Sequence, residues 1–213
     1  MLEILEGKYV LEKSLLGGLL IGLCSLFVNE VDQEIIRSII ISLGFLSTVE
    51  LGLPVFNWIS GEAKLMTTFM GYPSPDAVMF RLLINKILVG NIIGLCLATL
   101  VGYFLLPELP LSTALEDPRW GKIIISSIVT GFLIDLSVSG YRKDKNRRWI
   151  IVFSSFLTVT VGLDHFIIDF PQILISIIFK GSSILVGLGI LGLTILGNFI
   201  GTRIRTLIIK TDD

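Results

Sequence analysis

The sequence holds one histidine, His165, and two cysteines, Cys24 and Cys96, in 213 residues. A single histidine excludes every motif that needs two, the HExxH zinc hydrolases and His-rich metal sites among them. Both cysteines lie inside apolar stretches, with the spacing of neither a zinc site nor a disulfide framework, so no metal and no cofactor is expected. Charge is scarce too: 16% of residues are charged, against about 25% in average globular usage. The 17 basic and 18 acidic residues leave a net charge of −1. That balance excludes a basic nucleic-acid binder and a long acidic tail. What the chain has instead is apolar surface, 53% hydrophobic residues with a mean hydropathy of +0.85. This is the composition of a polytopic membrane protein whose first partner is the lipid bilayer.

A helix needs roughly 20 apolar residues to cross about 30 Å of hydrocarbon. Six stretches are read as spans, at about 14–28, 35–59, 82–106, 122–141, 149–178 and 182–203. Glu3, Glu6 and Glu12 stand where a cleavable signal would carry its basic region, so the first span is read as a retained helix. No stretch between spans is long enough for a separate domain, and residues 1–213 form a single transmembrane domain. The basic residues divide unevenly: 13 fall on the side of the two termini and four, Arg37, Arg119, Lys122 and Lys180, on the other. By the positive-inside rule both termini are cytoplasmic, which suits an integral protein of the cytoplasmic membrane.

The two halves echo each other. Gly18-Leu19-Leu20-Ile21 resembles Gly131-Phe132-Leu133-Ile134 at an offset of 113, and Phe45-Leu46-Ser47-Thr48-Val49 resembles Phe156-Leu157-Thr158-Val159-Thr160 at 111. Gly90-Asn91-Ile92-Ile93-Gly94 resembles Gly197-Asn198-Phe199-Ile200-Gly201 at 107. With three spans per copy, repeat one (about 14–106) and repeat two (about 122–205) must be inverted relative to one another, the plan of many channels and transporters. Spans two and five are both interrupted, by Glu50-Leu51-Gly52-Leu53-Pro54 and by the run from Gly162 through Asp164-His165 to Asp169 and Pro171. Proline suits the first turn of a helix, so Pro54 and Pro171 are each expected to open a half-helix. Irregular backbone at membrane depth belongs in protein or beside a water-filled cavity.

Ionisable groups inside a membrane are costly and therefore functional candidates. His165 is the sharpest, because it lies in the fifth-span break directly after Asp164. An imidazole exchanges protons near neutral pH; the competing reading is a histidine satisfied by a backbone carbonyl. Glu50, in the other break, reads first as structural, capping a half-helix or accepting backbone N–H groups. Asp135 either lines a path or pairs across a helix contact. Asn91 and Asn198 sit within GxxxG patterns with Gly90, Gly94, Gly197 and Gly201; asparagine there can bond across the contact or to a broken helix, and close helix packing is the favoured role. The basic run Arg142 to Arg148 reads as the topology signal rather than a phosphate site. The loop 60–75, with Gly61, Gly71 and Pro73, has no readable role.

Six spans, the breaks in spans two and five and the Gly-Asn segments together resemble the formate/nitrite transporter family. Gly162-Leu163-Asp164-His165 is similar to that family's acidic-residue–histidine pair, Glu50-Leu51 to the opening of its second-helix loop, and Gly197-Asn198-Phe199-Ile200-Gly201 to its closing segment. The resemblance implies an all-α, aquaporin-like fold of two inverted three-helix repeats with helices two and five broken. It also implies a homopentamer with one pore per protomer, small monovalent anions or their acids as solutes, and proton exchange through His165. The sequence departs from the pattern at Gly52 and Leu53, where the family carries an aromatic residue and threonine, and at Asp169, where it carries asparagine. The lysine near the outer end of the family's fourth span has no counterpart. The outer side is also acidic, with Glu30, Asp32, Glu34, Glu108, Glu116, Asp117, Asp164 and Asp169, a poor field for attracting anions.

The reading is thus a channel or transporter, not an enzyme, for formate, nitrite, hydrosulfide or a short monocarboxylate, as anion or conjugate acid. His165 and Asp164 are its proton-exchange centre, and Glu50, Leu51, Gly52, Leu53, Pro54, Phe166 and Asp169 its loops and gates, with Leu53 and Phe166 the apolar constrictions. The alternatives are a six-span substrate-binding subunit that needs a partner ATPase, and a non-conducting membrane scaffold of the same fold.

Overall fold

A computed structural model describes residues 9–56, 75–106 and 111–208, with the side chains of 75–84 and 205–208 outside that description. The loop 60–75, apart from the backbone of Pro75, therefore lies outside the described residues, as do Lys8, Lys64, Glu108 and Lys210. The described chain is all-helical, with no strand among these residues. Its helices are α1 (Val10–Phe27), α2 (Glu34–Glu50), α3 (Pro75–Leu105), α4 (Trp120–Lys143), α5 (Arg148–Thr160), α6 (Phe166–Lys180) and α7 (Ile184–Ile208).

Four stretches are long and apolar enough to cross a membrane: Val10–Glu30, Asn85–Leu105, Trp120–Lys143 and Ile184–Ile204. Each has 21 residues or more, and at a rise of 1.5 Å per residue that reaches about 30 Å. Helices α2, α5 and α6 have 17, 13 and 15 residues, so each alone is shorter than the hydrocarbon core. These are the pieces into which the predicted spans two and five divide.

The four long helices form two tight pairs, α1 with α3 and α4 with α7. Glycine makes the approach possible. A side chain at Gly90 would collide with Leu11 O and Ser14 Cβ, and one at Gly102 with Leu26 Cδ1. At Gly197 it would meet Ser127 Cβ and Ile124 O, and at Gly201 Ile128 O and Phe132 N. Residue numbers rise together along both seams, so each pair is parallel. Helices α2 and α5 pack antiparallel, with Thr160 Oγ1 donating to Ser38 Oγ (2.9 Å) at one end and Glu50 facing Arg148 (3.9 Å) at the other.

Many buried hydroxyls in these helices bond to carbonyls on the preceding turn, as Ser14 does to Val10 O (2.6 Å), Ser42 to Ser38 O (2.6 Å) and Thr194 to Ile190 O (2.9 Å), although among the described residues Thr130 Oγ1 and Ser155 Oγ find no partner. An apolar helix thereby buries serine and threonine without leaving the group unsatisfied.

Candidate functional site

The two helix breaks are built by the same hydrogen bonds. At the end of α2, Gly52 adopts φ +63°, its N–H donates to Val49 O (3.2 Å), and the Leu53 N–H reaches back to Thr48 O (2.8 Å). At the end of α5, Gly162 adopts φ +66°, its N–H donates to Val159 O (3.0 Å), and the Leu163 N–H reaches Thr158 O (2.9 Å). Both are Schellman caps, in which a left-handed residue lets two further amides close the last helical carbonyls. Glycine takes that conformation without a Cβ penalty. The local sequences are Thr-Val-Glu-Leu-Gly-Leu and Thr-Val-Thr-Val-Gly-Leu. The bonds match Thr48 with Thr158, one residue away from the pairing that similarity of the apolar stretches suggests.

Beyond each cap an asparagine from a long helix takes over. Asn91 of α3 accepts the Phe56 N–H at Oδ1 (2.8 Å) and donates through Nδ2 to Pro54 O (3.0 Å) and Ser14 O (2.7 Å). Asn198 of α7 accepts the Phe166 N–H (3.2 Å) and donates to Ser127 O (2.7 Å). Both side chains are fully buried. Packing, the favoured sequence reading, is thus joined by the bonding across the contact and to a broken helix that the same residues allow. Each ties the first N–H after a break to the facing helix of its own pair.

Proline does not set where the second segment starts. Pro171 was expected to open the half-helix after the break, but α6 begins at Phe166 and Pro171 lies inside it. The reason is Asp169, whose Oδ2 accepts the His165 N–H (2.7 Å) while His165 O accepts the Ile168 and Asp169 N–H groups (both 3.0 Å). The Asp169 side chain thus caps the His165 N–H, and with the backbone bonds to His165 O the first turn is closed before the proline is reached. Pro54 lies in the non-helical stretch before Phe56, the next helical residue.

His165 is thus the N-cap of α6, and its side chain is 0% exposed. Its ring stands edge-on to Phe45 of α2, centroids 5.0 Å apart. The carboxylate of neighbouring Asp164 accepts a hydrogen bond from Ser126 Oγ of α4. Asp164 and Asp169 together line a cavity of about 130 Å³, whose other walls include Gln172, Ile190 and Ser112 to Ala114. A histidine, two carboxylates and an amide thus gather around one break. The two carboxylates and the amide line the cavity and can accept hydrogen bonds from a solute, while His165 is fully buried and is not among the lining residues.

Among the described residues the first break holds no comparable group. Glu50 is the last residue of α2, where it faces Arg148 and accepts a hydrogen bond from Tyr141. Within the described residues the C-cap of α2 is Leu51 rather than Glu50. Glu50→Gln is expected to lower stability by about 1 kcal/mol or less in thermal unfolding, since a part-exposed pair contributes little. Leu51 is 66% exposed, Leu53 is half-buried, and Phe166 is buried edge-on to Phe170.

Sequence reasoning missed Ser126, Phe45 and the short turn Thr113–Leu115. Serine in an apolar helix and phenylalanine on a buried face carry no signal of a partner far along the chain. The turn is followed by Glu116, which is paired with Lys180. The hydrogen bond and charge of Lys180 hold the Glu116 carboxyl below its ordinary range. A depressed carboxyl keeps its pair at neutral pH and loses it only as pH falls through that lowered value.

Among the described residues no group of three or more His, Cys, Asp or Glu side chains converges as a metal site would. No protein-family model matches the chain, and no curated protein matches it in sequence.

Proposed function

We propose that the protein is a six-crossing pore for a small monovalent anion or its conjugate acid, of the class that includes formate, nitrite, hydrosulfide and short monocarboxylates. The observation that carries the reading is the pair of matched breaks, each bridged by a buried asparagine, with His165 and two carboxylates at one of them. The parallel seams support six crossings. If α1 and α3 run the same way, the chain between them must return, and α2 begins that return crossing. By the same parity α5 and α6 return the chain between α4 and α7. The short connection from α3 to α4 then inverts one three-helix unit relative to the other, as in aquaporin-like inverted repeats.

In this reading the acidic cavity admits the neutral acid more readily than the anion, and His165 exchanges the proton on the far side of the Asp164–Asp169 wall. Residues around the breaks dehydrate the solute, which again favours the uncharged form. A homopentamer with cytoplasmic termini follows from the resemblance to formate/nitrite transporters and from the basic-residue asymmetry.

The test is flux into proteoliposomes with formate, nitrite and hydrosulfide at two pH values. Uptake is expected to rise about tenfold per unit of pH lowered above the solute's pKa, in step with the protonated fraction. His165→Ala is expected to remove that acid stimulation. Flux that is flat or falls on acidification overturns the neutral-acid route. Absence of flux for all three solutes from folded protein favours the non-conducting scaffold, which the complete enclosure of His165 also suits.

A further inference from the structure

Helix α4 buries a line of hydroxyls. Ser126, Thr130, Ser137 and Tyr141 are all buried, and at about 100° per residue they fall within about 60° of one another around the helix axis. The line ends on an ionisable group at each break. Ser126 Oγ donates to the Asp164 carboxylate, and Tyr141 donates to Glu50 at the end of α2. Asp135, by the same count, lies on the opposite face of α4.

Helix α5 supplies a member between Thr130 and Ser137. It runs antiparallel to α4: Asp164, just past the end of α5, meets Ser126, and Ile150, near its start, stands 3.5 Å from where a side chain at Gly140 would begin. Both contacts fit one register, in which Ser155 is level with position 135. Ser155 belongs to the buried face of α5, with Ile151, Ser154 and Thr158. Successive hydroxyls are then separated along the axis by about 6, 8, 3 and 6 Å. One water between two hydroxyls spans a similar distance, two hydrogen bonds of about 2.8 Å each. Two of these hydroxyls also differ from ordinary packing groups. Ser137 closes on Ile134 O of its own helix (2.7 Å). Thr130 Oγ1 and Ser155 Oγ, on residues 0% and 1% exposed, have no hydrogen-bond partner among the described residues. A buried hydroxyl without a partner is destabilising, and native structures meet that need with internal water.

We propose that α4 and α5 enclose a hydrated seam, with water bound at Thr130 and at Ser155, that joins the Asp164–His165 break to Glu50. Hydration of the seam stands on the two unpartnered hydroxyls and the register; its use as part of a solute route rests on the pore reading. Serine, threonine and tyrosine hydroxyls are uncharged, and each can donate and accept. Such a lining replaces the water around a small neutral acid, whose own acidic group also donates and accepts. It offers a bare anion no countercharge. The seam thus suits water and the conjugate acid in preference to the anion.

The test separates hydration from transport. Thr130→Cys and Ser155→Cys are made singly in a chain with Cys24→Ala and Cys96→Ala. Silver ion is added to the folded protein in detergent, and its reaction is timed by protection of the thiol from a maleimide added after unfolding. Thr194→Cys is the dry reference, because Thr194 is equally buried and its hydroxyl is closed on Ile190 O. Silver is expected to react at positions 130 and 155 about tenfold faster than at 194, since a dry site reacts only on local opening. Equal rates at the three positions overturn the hydrated seam. A second readout needs no thiol. Thr130→Val and Ser155→Ala are expected to leave the melting temperature unchanged or to lower it, because each removes an anchor for water. A rise in both shows that the hydroxyls were dry and unpaired, and overturns the proposal as well. In proteoliposomes Thr130→Val is expected to lower formate flux about tenfold, the effect of one ordinary hydrogen bond on a barrier, while Thr130→Ser keeps it. Unchanged flux in Thr130→Val overturns the seam as a route. Fast silver reaction without flux of formate, nitrite or hydrosulfide in the parent leaves the hydrated seam standing and counts against the pore reading alone.

Discussion

Alanine at Gly201 is expected to destabilise the protein by about 3 kcal/mol, the upper part of the usual range for overpacking, whereas alanine at Gly192 on the same helix is expected to cost nothing. The added methyl at Gly201 runs into Ile128 O and stands 2.7 Å from Phe132 N, both backbone atoms of α4. Backbone cannot rotate aside as a side-chain end can, so the parallel α4–α7 seam must widen along its length. Gly94→Ala meets the same obstacle in the other pair, against Leu15 O and, at 2.6 Å, Leu19 N. At Gly192 nothing lies within 4 Å, and alanine is the better helix former by about 1 kcal/mol. Thermal unfolding of the three variants in one detergent checks this. Equal melting temperatures for Gly201→Ala and Gly192→Ala would show that the seams are looser than the contacts state.

The second large effect separates bridging from packing. Replacing Asn91 by leucine keeps an apolar seam filled, so a residue present only for packing should tolerate it within about 1.5 kcal/mol. Here the change strips the Phe56 N–H and Pro54 O of a partner inside the protein. A buried group left unsatisfied costs about 1–3 kcal/mol, so the expected loss is about 3 kcal/mol. Asn91→Asp is expected to be no better. It keeps an acceptor for the Phe56 N–H but turns a carboxylate toward the carbonyls of Ser14 and Pro54. Chemical denaturation of Asn91→Leu, Asn91→Asp and the parent measures the difference. A leucine variant as stable as the parent would return Asn91 to a packing role.

Much of this architecture is legible in the residues themselves. Composition alone demands membrane helices, and Gly52 and Gly162 mark two interruptions because a helix that ends in a left-handed turn needs glycine there. The Gly-x-x-x-Gly frames around Asn91 and Asn198 announce close seams. What escapes is whatever depends on partners distant in the chain. Nothing near Glu50 names Arg148, and nothing near Asp164 names Ser126. The start of α6 escapes for a different reason. Proline is a strong local signal, but the Asp169 carboxylate closes the first turn earlier by reaching back to His165, and that bond exists only once the helix has formed. The pairing of the two breaks is off by one residue because apolar stretches match equally well in neighbouring registers, whereas hydrogen bonds match in one.

The reach of Asn91 also orders events while the chain is being made. A nascent chain that has emerged only through α2 carries its first interruption without the amide that receives Phe56 and Pro54, for that amide is 35 residues beyond Phe56. The break can settle only after α3 has entered the bilayer beside α1. In the second half Asn198 follows Phe166 by 32 residues, so the same wait is repeated for α7. Each half is therefore finished by its last helix, and a ribosome that stalls between Phe56 and Asn91, or between Phe166 and Asn198, presents the membrane with a break whose Phe56 or Phe166 N–H still lacks its asparagine.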